Sequence, residues 1–301
     1  MSIVTEIEKL KKEKEAVILA HYYVRPEVQD IADYIGDSYY LSKIAAELDV
    51  RTIVFCGVEF MGESAKILNP DKTVLMPDLA ADCPMAHMAD EEVIKEVRKK
   101  YEDLAVVCYI NSTAEIKTWA DVCVTSANAV KIVKALPNKN IFFTPDRNLG
   151  RYISTLVPEK NFILNNGFCP THEKIKADEV SEAKRLHPEA EVLAHPECNE
   201  QVLALADYIG STAGIIKHAK ESKAKVFIIC TECGVDYKLQ KENPEKRFYY
   251  PHGVPTCPNM KKNTLEKILH VLQTGKNEIH VTEELRENSR KPLEKMLQLA
   301  K

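Results

Sequence analysis

One phrase is written three times in this chain. It reads HYYVRPEVQDIADYIGDS over residues 21–38, YINSTAEIKTWADVCVTS over 109–126 and HPECNEQVLALADYIGST over 195–212, equal in length and polar at both ends. The three starts are almost evenly spaced along 301 residues, so the chain is built as three turns of one unit. Each turn is far longer than a solenoid repeat and suits a small α/β layer domain.

The same order of elements recurs in every turn. A short apolar run precedes each phrase (16–20, 104–107, 191–194), and two more follow it (52–55 and 73–76; 141–143 and 161–164; 226–229 and 247–250). Apolar runs of this length, separated by helical patterns, predict buried parallel strands with helical crossovers. The expected fold is therefore α/β: three pseudo-threefold-related repeats, each a small three-stranded parallel sheet in a three-layer α/β/α sandwich. The expected boundaries are 1–88, 89–175 and 176–275, with 276–301 forming a C-terminal helix that packs back on the body. Helices are predicted near 26–35 and 38–48, and the middle of each phrase reads as a helical spacer between its two ends.

Composition narrows the partners. A net charge of −4 and a pI near 6.2 supply no general attraction to nucleic acid or anionic membranes, so an anionic ligand must be captured locally. The opening MSIVTEIEKLKKEKE lacks the apolar core of a secretion signal, and no later run is long enough to span a bilayer. A cytoplasmic protein with neither nucleic-acid nor membrane partners is expected. Nine cysteines without an export signal argue against a disulfide framework and for metal ligands or buried thiols.

Three of those cysteines keep the phase of the repeat: Cys83, Cys169 and Cys257 follow their phrases at nearly the same distance. Packed around a threefold axis with strand ends inward, they would bring three thiolates together, a soft-metal site for zinc or an iron–sulfur cluster with one position left open. An open position favours catalysis. A hydro-lyase acting on another hydroxy acid and a non-catalytic metabolite sensor remain as alternatives.

Ser38, Ser126 and Thr212 close the phrases where helices are predicted to begin. Such hydroxyls either cap free amides or, with the helix ends, hold an anion; their phase with the cysteines favours the anion. His21 with Tyr23, Tyr109 with Asn111, and His195 with Glu197 open the phrases with acid–base groups at strand ends. Cys230 and Cys233 form a C-x-x-C pair without a second pair nearby and read as structural, while Cys56, Cys108, Cys123 and Cys198 read as core thiols.

The ordered segments AHYYVRPEVQDIADYIGDS (20–38), GVEFMGESAKIL (57–68), MPDLAADCPMA (76–86), YINSTAEIKTWADVCVTSANA (109–129), PDRNLG (145–150), NGFCPTH (166–172), HPEC (195–198), STAGI (211–215) and TECG (231–234) run through nearly the whole chain. Together they resemble quinolinate synthase, an iron–sulfur family of NAD biosynthesis. The resemblance implies that Cys83, Cys169 and Cys257 hold a [4Fe–4S] cluster with one open iron acting as a Lewis acid. It implies iminoaspartate and dihydroxyacetone phosphate as substrates, quinolinate as product, and functional coupling to an enzyme that makes iminoaspartate. It places substrate contacts at His21, Ser38, Tyr109, Ile110, Asn111, Ser126, His195, Pro196, Glu197 and Thr212. Catalytic roles are expected for Tyr23, Glu197, His195 and His21. Some family members carry a C-x-x-C-x-x-C run at the last ligand; here the sequence from Cys257 to Met260 lacks it.

Overall fold

The computed structural model describes residues 2–301. Its strands are β1 (Ala16–His21), β2 (Tyr34–Gly36), β3 (Thr52–Cys56), β4 (Thr73–Leu75), β5 (Leu104–Tyr109), β6 (Val122–Val124), β7 (Asn140–Thr144), β8 (Asn161–Leu164), β9 (Glu191–Ala194), β10 (Tyr208–Ile209), β11 (Val226–Cys230) and β12 (Arg247–Tyr249). They form three sheets of identical topology, β2-β1-β3-β4, β6-β5-β7-β8 and β10-β9-β11-β12. All pairings between these strands are parallel. The expected α/β architecture of three repeated units is what the chain adopts.

Each sheet has one strand more than the sequence suggested. The extra strands, β2, β6 and β10, come from the middle of the repeated phrase, which had read as continuous helix. In the first unit the helix stops at Ile31 and the chain turns extended at Ala32. The cause is the aspartate shared by all three phrases. Asp33 donates its amide to the Ile18 carbonyl at 2.9 Å and accepts the Ile18 amide on its carboxylate at 2.7 Å. Asp121 does the same to Val106, and Asp207 to Val192. Both main-chain groups of one central-strand residue are thereby engaged by a single aspartate, which pins the following residues alongside as an edge strand. An apolar pattern as short as this one fits either helix or strand, so periodicity alone cannot make the choice.

Asp121→Ala is expected to lower stability by about 2 kcal/mol, because it strands the buried Val106 amide and frees the Arg98 guanidinium, now 2.9 Å from the carboxylate. A melting temperature unchanged from the parent's would show that the aspartate is not what holds β6.

A second repeated device closes the helix that follows each edge strand. Lys160 donates to the carbonyls of Leu136 at 2.6 Å and Asn138 at 2.7 Å, and Lys246 to those of Ala219 at 2.5 Å and Ser222 at 2.8 Å. Lys72 reaches the Ala45 carbonyl at 3.1 Å in the first unit. These ammonium groups satisfy carbonyls that a helix C-terminus leaves without intrahelical partners.

Apolar packing runs across unit boundaries. One core spans the first two sheets and much of the third, and a smaller cluster lies under the third unit. The long helix Glu283–Leu299 packs on β6 and on the helices Glu59–Leu68 and Ala114–Lys117, tying the first unit to the second. Cys56, Cys108, Cys123 and Cys198 are fully buried, as their apolar surroundings in the sequence predict, and Cys230 is fully buried as well. Among the described residues no helix is long and apolar enough to cross a membrane.

Candidate active site

The carboxyl ends of the central strands meet at one cavity of about 160 Å³, the place where parallel α/β sheets ordinarily bind ligands. Its wall contains the two ends of all three phrases: His21, Tyr23 and Ser38; Tyr109, Asn111 and Ser126; His195, Glu197 and Thr212. Cys83, Cys169 and Cys257 line it as well. Ile110 and Pro196 are buried next to lining residues but do not themselves reach the cavity.

His21 and His195 are held by the same local turn. The amide two residues on donates to Nδ1, from Tyr23 at 3.1 Å and from Glu197 at 3.3 Å. An Nδ1 that accepts must leave the ring proton on Nε2, so each imidazole offers an N–H to the cavity side. For His195 that nitrogen lies 3.2 Å from the Ser126 hydroxyl. Burial pushes both imidazoles down to about 3, which makes them neutral donors.

Glu197 lies at the centre of the polar wall. The Tyr109 hydroxyl donates to its Oε1 at 2.7 Å, and His172 Nδ1 approaches its Oε2 to 2.7 Å. Burial opposes its charge, yet the donors His172 and Tyr109 outweigh burial and hold the carboxyl below its usual range. Burial and the nearby Glu197 charge push the phenols of Tyr23 and Tyr109 well up.

His172 connects this carboxylate to the opposite wall. Its Nδ1 faces two acceptors, Glu197 and the Cys169 sulfur at 3.1 Å, and therefore carries the proton. Its Nε2 then accepts from the Thr231 hydroxyl at 2.9 Å, and Thr231 Oγ1 in turn accepts from the Tyr23 hydroxyl at 2.7 Å. The Thr212 hydroxyl closes the row at 2.7 Å from the Tyr23 oxygen. The result is a directed line, Tyr23 to Thr231 to His172 to Glu197, able to pass a proton from the phenol to the carboxylate.

Each lining cysteine is set by a carboxylate that accepts its main-chain amide: Asp82 for Cys83 at 2.6 Å, Asp146 for Cys169 at 3.1 Å and Glu232 for Cys257 at 2.9 Å. Asp146 and Glu232 are fully buried and hold equivalent positions past β7 and β11. The equivalent position past β3 is Val58, and the adjacent Asp82 takes over the task. Burial pushes the Cys83 thiol up to about 12 and those of Cys169 and Cys257 upward. Thiolates at these positions therefore need a cation to stabilise them, as a metal group would. The sulfurs do not all approach within 4.8 Å of one another, whereas sulfurs around one zinc ion lie about 3.8 Å apart. Among the described residues one ligating trio is that close, Cys169, His172 and Glu197, and it could hold a metal. Its His172 Nδ1 already carries a proton directed at the carboxylate.

Residues 5–298 match the family described as Quinolinate synthetase A protein. The chain belongs to that family. It is 55% identical over 294 residues to the quinolinate synthase of Fusobacterium nucleatum, covering 98% of each chain. It is 54% identical over 295 residues to that of Caldicellulosiruptor saccharolyticus, covering 98% of this chain and 97% of the relative. The quinolinate synthase of Clostridioides difficile is 52% identical over 295 residues, with the same coverage.

Within the quinolinate synthetase A fold, the phrase hydroxyls are not the helix caps. Ser38 and Thr212 occupy the first helical positions, but the caps are Asp37 and Ser211, which accept from Tyr40 at 3.0 Å and Gly214 at 3.2 Å. Ser126 lies ahead of its helix, Ala129–Ala135, and starts none. None of the three hydroxyls is therefore spent on capping: Ser126 meets His195 and Thr212 meets Tyr23 in the cavity wall. The C-x-x-C pair does not act as a pair: Cys230 is buried at the end of β11 and Cys233 turns toward Thr256 at 3.4 Å. The residues between them, Thr231 and Glu232, are the ones that serve the site. Gly234 follows because an added Cβ would sit 2.7 Å from the Tyr23 Cα, where the third unit closes on the first.

Sequence reading missed His172, Thr231, Glu232 and Asp146. His172 and Thr231 stood inside quoted segments, yet neither occupies a repeated position, so the internal symmetry carried no signal for them. Asn111 Oδ1 and Thr125 Oγ1 are buried in the wall without a hydrogen-bond partner, as expected of groups waiting for a ligand.

Proposed function

We propose that the protein condenses iminoaspartate with dihydroxyacetone phosphate to give quinolinate, inorganic phosphate and two waters. Cys83, Cys169 and Cys257 would hold a [4Fe–4S] cluster with one open iron. The observation that carries this reading is the meeting of three repeat-phased cysteines and a Glu197-centred proton network in one cavity. Family membership supports it independently.

When bound, the cluster would supply Lewis acidity toward a substrate hydroxyl or carboxylate. The chain's own groups account for the rest. His21 and His195 present neutral N–H donors to substrate carboxylates. Ser38 and Thr212, at the starts of the ten-residue helices Ser38–Glu47 and Thr212–Glu221, hold anionic groups with the help of helix N-termini. Ser126 and Asn111 add donors and an acceptor from the second unit. Ring closure and two dehydrations require protons to move at several carbons. Glu197 serves as the base and Tyr23 as the acid of these transfers. The enzyme would work in the cytoplasm, fed by an enzyme that produces iminoaspartate.

The test is to reconstitute the protein without oxygen, supply both precursors and measure quinolinate. A brown, folded protein that forms none would overturn the reaction, and a colourless protein that takes up zinc alone would overturn the cluster.

A further inference from the structure

Among the described residues, Lys174 is the only lysine or arginine lining the cavity. It caps the C-terminus of the short helix Pro170–Glu173, is exposed, and also lines a second, outer hollow together with Thr171 and Thr256. It therefore stands between the hollow and the cavity. Its neighbour Glu173 is already paired with Arg147 at 2.8 Å. Glu179, the carboxylate of the outer hollow, forms no ion pair with it. Further in, the wall carries the carboxylates Glu197 and Glu232, while the cation nearest Glu232, Lys261, is spent on it at 2.9 Å. The imidazoles His21 and His195 are neutral. Anionic substrates thus face an acidic interior whose one uncompensated cation is at the mouth.

We propose that Lys174 is the steering cation of this site, drawing phosphorylated and carboxylated substrates through the outer hollow into the cavity. This rests on the reaction proposed above. A single charge at a low-dielectric mouth raises the local concentration of counter-charged ligand, and salt screens its effect.

In the reconstituted full chain at low salt, Lys174→Glu is expected to reduce kcat/KM for dihydroxyacetone phosphate by about tenfold or more with kcat unchanged. The difference should close as potassium chloride is raised, and Lys174→Arg should behave like the parent. A Lys174→Glu variant with the parent's kcat/KM at low salt, or with its loss confined to kcat, would overturn the proposal. Calorimetric titration with dihydroxyacetone phosphate alone separates this from the reaction itself. If the parent makes no quinolinate, the reaction is wrong, and the titration still decides: weaker, salt-dependent binding by Lys174→Glu supports the steering role, and equal binding removes it.

Discussion

Cys83→Ala is expected to lose the brown colour of the reconstituted protein and all turnover together, whereas Cys230→Ala keeps both. The two thiols differ in what they face. Cys83 lines the cavity with Cys169 and Cys257, on a loop set by the Asp82 carboxylate. Cys230 is buried at the end of β11, among apolar side chains of the third unit. Removing one of three ligands leaves two, too few to retain a cluster that already has an open iron. Iron content, colour and quinolinate formation should be measured on the same preparations, with Cys83→Ser as the variant that best preserves packing. Loss of iron from Cys230→Ala, or its retention in both Cys83 variants, would overturn the ligand assignment.

Glu197→Gln is expected to keep the colour and lower kcat by about 10³-fold, within the range that a positioned general base contributes. The amide retains the shape of the carboxylate and can still accept from Tyr109, but it takes no proton and cannot terminate the line through His172. Glu197→Asp, which restores a carboxylate on a shorter stem, should recover part of the loss. Full activity in the glutamine variant would remove Glu197 from the chemistry. A colourless glutamine variant would instead place Glu197 among the metal's neighbours, where its grouping with Cys169 and His172 already puts it geometrically.

The edge strands show how near the sequence reading came and why it stopped. The phrase and its length read directly from the sequence, but Ala-Asp-Tyr-Ile-Gly in its middle has no periodicity long enough to choose between helix and strand. What decides is the bond from Asp33 to a strand residue fifteen positions earlier in sequence, a contact that pattern alone does not specify. The same limit explains the caps. A hydroxyl at a predicted helix start reads as either a cap or an anion contact, and the side chain one position earlier performs the capping in two of the three units.

From sequence alone came the threefold repetition, the α/β class, the phase of Cys83, Cys169 and Cys257, and the pairs His21 and Tyr23, Tyr109 and Asn111, His195 and Glu197 at strand ends. These are local properties: residue types at recurring spacings on short strands and turns, which a chain repeats whenever it repeats a unit. The tertiary structure alone decided that Tyr23, Thr231, His172 and Glu197 form one line. Tyr23 and Thr231 are 208 residues apart and His172 and Thr231 are 59 apart, at positions the repeat does not relate. Their contact exists because three units close on a common axis and bury polar groups that must then find partners in one another. No spacing within a single unit encodes that meeting.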